Sequence, residues 1–145
     1  MNLYTIGFTQ KSAQQFFELL KKNKVKRLID TRLNNRSQLS GFAKQDDLKY
    51  FLSEITGIEY IYKPDYAPTD DILKGYKNKQ INWNEYSKRY LELLEQRNIS
   101  KTTETKILED SCLLCSEHRP EHCHRSLLAE YLSEHLGNIN IIHLT

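Results

Sequence analysis

The sequence contains no apolar run approaching the roughly 18 residues that a membrane-crossing helix needs, so no span and no membrane partner are expected. Its first residues, Met-Asn-Leu-Tyr-Thr-Ile-Gly, lack the basic start and long apolar centre of a secretory signal, and a cytoplasmic location is the default expectation. Only three cysteines occur, Cys112, Cys115 and Cys123, an odd number gathered in one segment. This is not the disulfide framework of a small secreted protein, and the thiols are expected to be reduced. An excess of one charge is missing as well. With 21 basic and 19 acidic residues the net charge is +2, so overall charge gives no argument for nucleic-acid binding.

What is present fits one globular domain spanning residues 1–145. Hydrophobic residues make up 39% and charged residues 28%, and the length suffices to bury about two thirds of the unfolded surface. Leu3 to Ile6, closed by Gly7, reads as a first strand. Ser12 and Gln15 form a capping box before a helix whose buried face is Ala13, Phe16, Phe17 and Leu20. Val25 to Ile29 reads as a second strand ending on Asp30, Thr31 and Arg32. Lys21, Lys22, Lys24, Lys26 and Arg27 crowd the bend before it, which is the usual composition of a solvated helix end.

Leu33 to Gly41 shows no period and reads as a loop. Leu48, Phe51, Leu52 and Ile55 then mark a helix stopped at Gly57. Ile58 to Tyr62 alternates as a third strand. Pro64 and Pro68 frame an aromatic, acidic loop with Asp65, Tyr66, Asp70 and Asp71. Asn82 and Glu85 cap a helix carrying Trp83, Tyr86, Tyr90, Leu91 and Leu94, and a weaker helical pattern covers Lys101 to Leu108. Ile139 to Leu144 is a last strand. Strands alternating with helices predict an α/β fold, a mainly parallel sheet of about five strands with helices on both faces. Ligands of such sheets bind at the carboxyl ends of the strands.

The chain is organised around Ser111 to Leu132. A buried strand, Cys112 to Cys115, turns through Ser116, Glu117, His118, Arg119 and Pro120 into a helix whose apolar face is Leu127, Leu128, Tyr131, Leu132 and Leu136. Cys115 ends the strand and Cys123 begins the helix, so the two thiols can face each other across the turn. A helix N-terminus favours anions and thiolates, and His124 and Arg125 add to that field. Asp30, Arg32 and Arg36 leave the sheet at the same edge.

The segments T-I-G-F, D-T-R, G-I-E-Y, C-S-E and C-H-R-S-L-L-A-E together resemble the prokaryotic domain of unknown function family 488, whose pattern is approximately T-I-G-H, D-V-R, C-x-E and C-H-R. The resemblance runs over nearly the whole chain and C-H-R-S-L-L is its specific part. It points to Gly7, Asp30, Arg32, Cys115, Glu117, Cys123, His124 and Arg125. Phe8 stands where the family commonly has histidine. The resemblance implies a fold and a site, and no reaction.

The cysteines admit several readings. Cys123 at a helix N-terminus beside His124 and Arg125 suits a nucleophile of lowered pKa. The phosphatase loop C-x5-R is absent, since Cys115 to Arg125 is too long and Cys123 to Arg125 too short, and no C-x-x-C opens a helix. Zinc would recruit His118, His122 or His124, but a structural zinc site usually shows four clear ligands. Plain packing, with Arg125 tied to Asp30 or Glu117, is kept beside these. The arginines and carboxylates allow an architectural ion pair or a phosphate site, and the phosphate site is preferred. Tyr60, Tyr62, Tyr66 and Tyr76 near Lys63 and Lys77 allow base stacking or simply complete a core.

The expectation is therefore an enzyme for a phosphate-bearing substrate, a nucleotide or nucleic acid. Cys115, Cys123, Asp30 and Glu117 are the candidate catalytic groups, and Gly7, Arg32, Arg36, His124, Arg125 and Ser126 the candidate substrate-binding groups. No cofactor is expected, with zinc kept as an alternative. The competing function is a non-catalytic module that docks nucleic acid or a protein.

Overall fold

A computed structural model describes residues 1–34, 41–117 and 119–145 of the chain. Five strands, β1 (Asn2–Gly7), β2 (Arg27–Asp30), β3 (Glu59–Tyr62), β4 (Ser111–Cys115) and β5 (Asn140–Leu144), form one sheet in the order β3-β2-β4-β1-β5. Every pairing is parallel. The described helices are α1 (Ala13–Lys22), α2 (Gln45–Phe51), α3 (Asp70–Lys77), α4 (Trp83–Gln96), α5 (Ile99–Thr102), α6 (Thr105–Leu108) and α7 (His124–Leu136). None is long and apolar enough to cross a membrane.

Alternation along the strands divides the interior into two cores. Tyr4, Ile6, Leu28, Cys112 and Leu114 point to the face covered by α1 and α2, where Phe16, Phe17, Leu20, Leu48 and Leu52 meet them. Leu3, Ile29 and Leu113 point to the other face, against Ile72 of α3, Tyr86, Tyr90 and Leu94 of α4, and Leu128 and Leu132 of α7. Helices on both faces of a parallel sheet are thus what the strand–helix alternation predicts.

The local signals explain most element ends. Ser12 accepts from the Gln15 amide while Gln15 returns a bond to the Ser12 amide, the complete capping box. Asn82 caps α4 through the Glu85 amide. Gly57, with φ 73°, closes a π-helical turn, Leu52–Thr56, that continues α2.

Several expectations need correcting. Ala13 is exposed rather than buried. Asp70 and Asp71 begin α3 instead of lying in a loop, and 101–108 is not one helix but the end of α5 and all of α6. Of the loop expected over 33–41, residues 35–40, including Arg36, lie outside the described residues, and Gly41 opens a 3-10 turn, Gly41–Ala43.

The topology positions a site. β4 is central, with Gly7 beside Cys115 on one flank and Asp30 beside Leu114 on the other. The connections leaving β1 and β2 lead to the α1/α2 face, whereas the connection leaving β4 leads to α7 on the opposite face. Neighbouring strands whose connections part in this way open a crevice at their carboxyl ends.

Candidate active site

That crevice is a cleft of about 1110 Å³. Cys115, Cys123, His124 and Arg32 border it at the sheet edge, α3 and α4 supply a wall that includes Tyr76, Trp83 and Tyr86, and Lys77 and Lys79 stand on its exposed rim. Cys115 is delivered by the end of β4, and Cys123 is the N-cap of α7.

The two sulfurs meet across the turn at bonding distance, and the Cα atoms behind them are 7.6 Å apart. Relaxed disulfides hold their Cα atoms about 4.4 to 6.8 Å apart. The backbone spacing is therefore wider than a settled cross-link requires. His124 completes the cluster: its ligand atom and the two sulfurs all lie within 4.8 Å of one another, and all three residues are buried. The third cysteine, Cys112, is not part of it. It sits in the α1/α2 core, where burial drives its thiol pKa far up and leaves it inert.

The state of the imidazole follows from its contacts. His124 Nε2 lies 2.8 Å from the Thr31 carbonyl oxygen, which can only accept, so Nε2 carries the proton. Thr31 Oγ1, 3.1 Å from the same nitrogen, has given its own proton to the Leu114 carbonyl. Nδ1 consequently keeps the lone pair. Burial lowers the His124 pKa to about 4, which keeps the ring neutral near pH 7.

Two buried arginines flank the cluster. Arg125 donates from Nη1 to Cys115 Sγ at 3.1 Å and to the Glu117 carbonyl at 2.6 Å, and from Nε to Thr5 Oγ1 at 3.2 Å. Desolvation lowers its pKa to about 10, still charged at neutral pH. Among the described residues its bonds go to these groups rather than to the Asp30 or Glu117 carboxylate. Arg32 takes Asp30: Nε donates to Oδ1 at 2.8 Å and Nη2 to Oδ2 at 2.9 Å, a bidentate pair. The Arg32 amide and the Tyr60 hydroxyl also donate to Asp30, at 3.1 and 2.5 Å. Asp30 therefore positions Arg32. The guanidinium lies over the Phe8 ring, 5.4 Å from its centre, and its Nη1 is buried with no hydrogen-bond partner among the described residues.

The remaining candidates are placed as follows. Gly7 is a steric requirement, because a Cβ there would collide with the Glu117 carbonyl that crosses the end of β1. Glu117 itself is exposed at the cleft. Ser126 Oγ lies 2.7 Å from the Pro120 carbonyl and 2.8 Å from the Cys123 carbonyl, which braces the turn. Arg36 and His118 lie outside the described residues.

Trp83, Tyr86 and His122 are the parts of the aromatic wall that sequence reasoning missed. Trp83 stacks on Tyr86 at 5.0 Å and on His122 at 4.8 Å, with Tyr76 5.5 Å away. His122 is exposed, as expected of a loop residue, but its ring belongs to this wall. Of the four tyrosines considered for stacking, Tyr76 lines the cleft, whereas Tyr66 is buried in the core beneath α4.

A parallel α/β domain with a buried thiol and imidazole cluster opening into an aromatic cleft is the class that fold and site define. The sequence profile described as Domain of unknown function DUF488 matches residues 12–132, and the chain belongs to that family. No curated protein and no solved structure matches it. Arg32, Cys115, Cys123, His124 and Arg125 all fall within the matched segment, while Gly7 and Phe8 precede it.

Proposed function

We propose that the protein is an enzyme that binds a phosphate-bearing aromatic substrate, a nucleotide or a nucleotide unit of a nucleic acid, in this cleft. The observation that carries the reading is Arg32 Nη1. A buried guanidinium nitrogen without a partner costs free energy, and an anionic oxygen of the substrate is the ligand that satisfies it by a charge-assisted bond. The Asp30 pair fixes the orientation of the guanidinium at the edge of the cleft that Arg32 lines. The wall of Trp83, Tyr76, Tyr86 and His122 offers ring faces to a base, with stacking worth about 1 to 3 kcal/mol per base. Lys77 and Lys79 add positive charge at the mouth. Cys115 and Cys123 are the reactive centre, with the Arg125 guanidinium donating to Cys115 Sγ, and Glu117 on the cleft is the group that exchanges a proton with substrate.

Trp83 is the single tryptophan, so its fluorescence reports on the wall. Titration with mononucleotides, nucleosides and inorganic phosphate is expected to quench it strongly only with nucleotides. Arg32→Lys, which keeps a charge beside Asp30 but not the Nη1 donor, should weaken nucleotide affinity about ten- to a hundredfold with an unchanged circular dichroism spectrum. Equal affinity for nucleoside and nucleotide would sink the reading.

A further inference from the structure

We propose that Cys115, Cys123 and His124 together hold one divalent metal ion of the zinc type, with a fourth coordination position open to the cleft. The inference rests on the reading of this cluster as the reactive centre and names what that centre holds.

Four observations converge on it. The donor atoms of three buried residues lie within 4.8 Å of one another, and a tetrahedral ion with bonds of about 2.0 to 2.3 Å draws such donors to within about 4 Å. The Cα atoms of Cys115 and Cys123, at 7.6 Å, are too far apart for an unstrained covalent bridge, while two thiolates converging on a common ion tolerate that spacing. Thr31 accepts the proton of His124 Nε2 through its backbone carbonyl, the outer contact by which ligating histidines are oriented and their tautomer fixed, and this leaves Nδ1 as a donor. Arg125 Nη1 donates to Cys115 Sγ at 3.1 Å, an outer contact of the kind that orients ligating groups.

The donor chemistry selects the ion. Two sulfurs and an imidazole suit zinc, whereas magnesium and calcium require oxygen. Among the described residues no fourth cysteine, histidine or carboxylate joins the cluster. Three protein donors with a vacant fourth position is the pattern of catalytic rather than structural zinc, and water or substrate enters there. The cleft that borders all three residues supplies the access.

The full chain, purified under reducing conditions from zinc-supplemented medium, should carry about one zinc per chain by elemental analysis. Cys115→Ser and Cys123→Ser should each lose it. Because either variant can fail to fold, the native chain gives an independent reading. Stripped with a chelator and reloaded with cobalt(II), it should develop thiolate-to-cobalt charge-transfer absorption in the near ultraviolet and the visible bands of a four-coordinate site. Zinc far below one equivalent together with no cobalt spectrum overturns the proposal, as does a thiol count showing Cys115 and Cys123 covalently paired in the reduced preparation. Neither readout uses a nucleotide. Arg32→Lys should lose nucleotide affinity and keep its metal, so an empty metal site with intact nucleotide binding defeats this inference alone. Metal retained without any nucleotide binding defeats the cleft reading alone.

Discussion

On the face of the sheet covered by α1 and α2, every phenylalanine of the chain is found: Phe8, Phe16 and Phe17 are buried there, with Phe42 and Phe51 packed against them. On the face covered by α3 to α7 the large rings are Tyr66, Tyr76, Tyr86, Tyr90, Tyr131 and Trp83. The contrast follows what each face has to do. The first is sealed, and its phenylalanines interlock at centroid spacings of 5.2 to 5.9 Å, as Phe16, Phe17 and Phe42 do, while its tyrosines, Tyr4 and Tyr60, stand on the strands. The second must close a core and also border a cleft. Its rings carry hydroxyls that tie helices to loops, such as Tyr90 to the Tyr66 carbonyl at 2.6 Å and Tyr66 to Thr103 at 2.8 Å. A tyrosine gives apolar area at its body and a fixed bond at its tip.

The largest effect is expected on the sealed face. Phe16→Ala removes a fully buried ring and should cost about 3 to 5 kcal/mol in urea unfolding, while nucleotide affinity per folded molecule stays unchanged. A loss of affinity there would mean that the two faces are not separable. On the open face, Tyr90→Phe keeps the ring but strands the buried Tyr66 carbonyl, at a cost of about 1 to 2 kcal/mol. Because the ring is kept, its edge-on contact with the His124 ring at 5.6 Å survives in Tyr90→Phe; Tyr90→Leu, which removes that contact, should in addition alter ligand binding, a coupling that Phe16→Ala lacks. The smallest effect belongs to the outer surface of α4. Glu85→Ala breaks the exposed pair with Arg89 at 2.9 Å and should change stability by no more than about 0.5 kcal/mol, vanishing in high salt.

The fold was legible where local rules act alone. Ser12 with Gln15 and Asn82 with Glu85 announce helix starts by side-chain chemistry, and the apolar run at Cys112 announces a buried strand. The start of α3 was illegible because Thr69 makes no side-chain cap and two prolines precede it. The candidate site was legible in part for a related reason. Residue type and position at strand ends single out Asp30, Arg32, Cys115, Cys123, His124 and Arg125, because charges and thiols there need an explanation. Which cation pairs with which anion was not legible: Arg125 turned to a backbone carbonyl and a sulfur, while Arg32 took Asp30 two residues away. Trp83 and Tyr86 were read only as apolar residues carried by a helix, and both line the cleft. Periodicity reports the side of a helix that avoids water and is silent on whether a cleft interrupts what lies opposite.

The strand order has a consequence for how the molecule comes into being. Leu3 of β1 is paired only with Ser111 and Ile141, both more than a hundred positions later in the chain. During synthesis the first strand therefore waits, bare along both margins, until β4 and β5 have emerged. Non-local pairing of this kind slows folding. The floor of the cleft, shared between β4 and its neighbours, is then among the last features to assemble, and the growing polypeptide carries an unpaired strand throughout that interval.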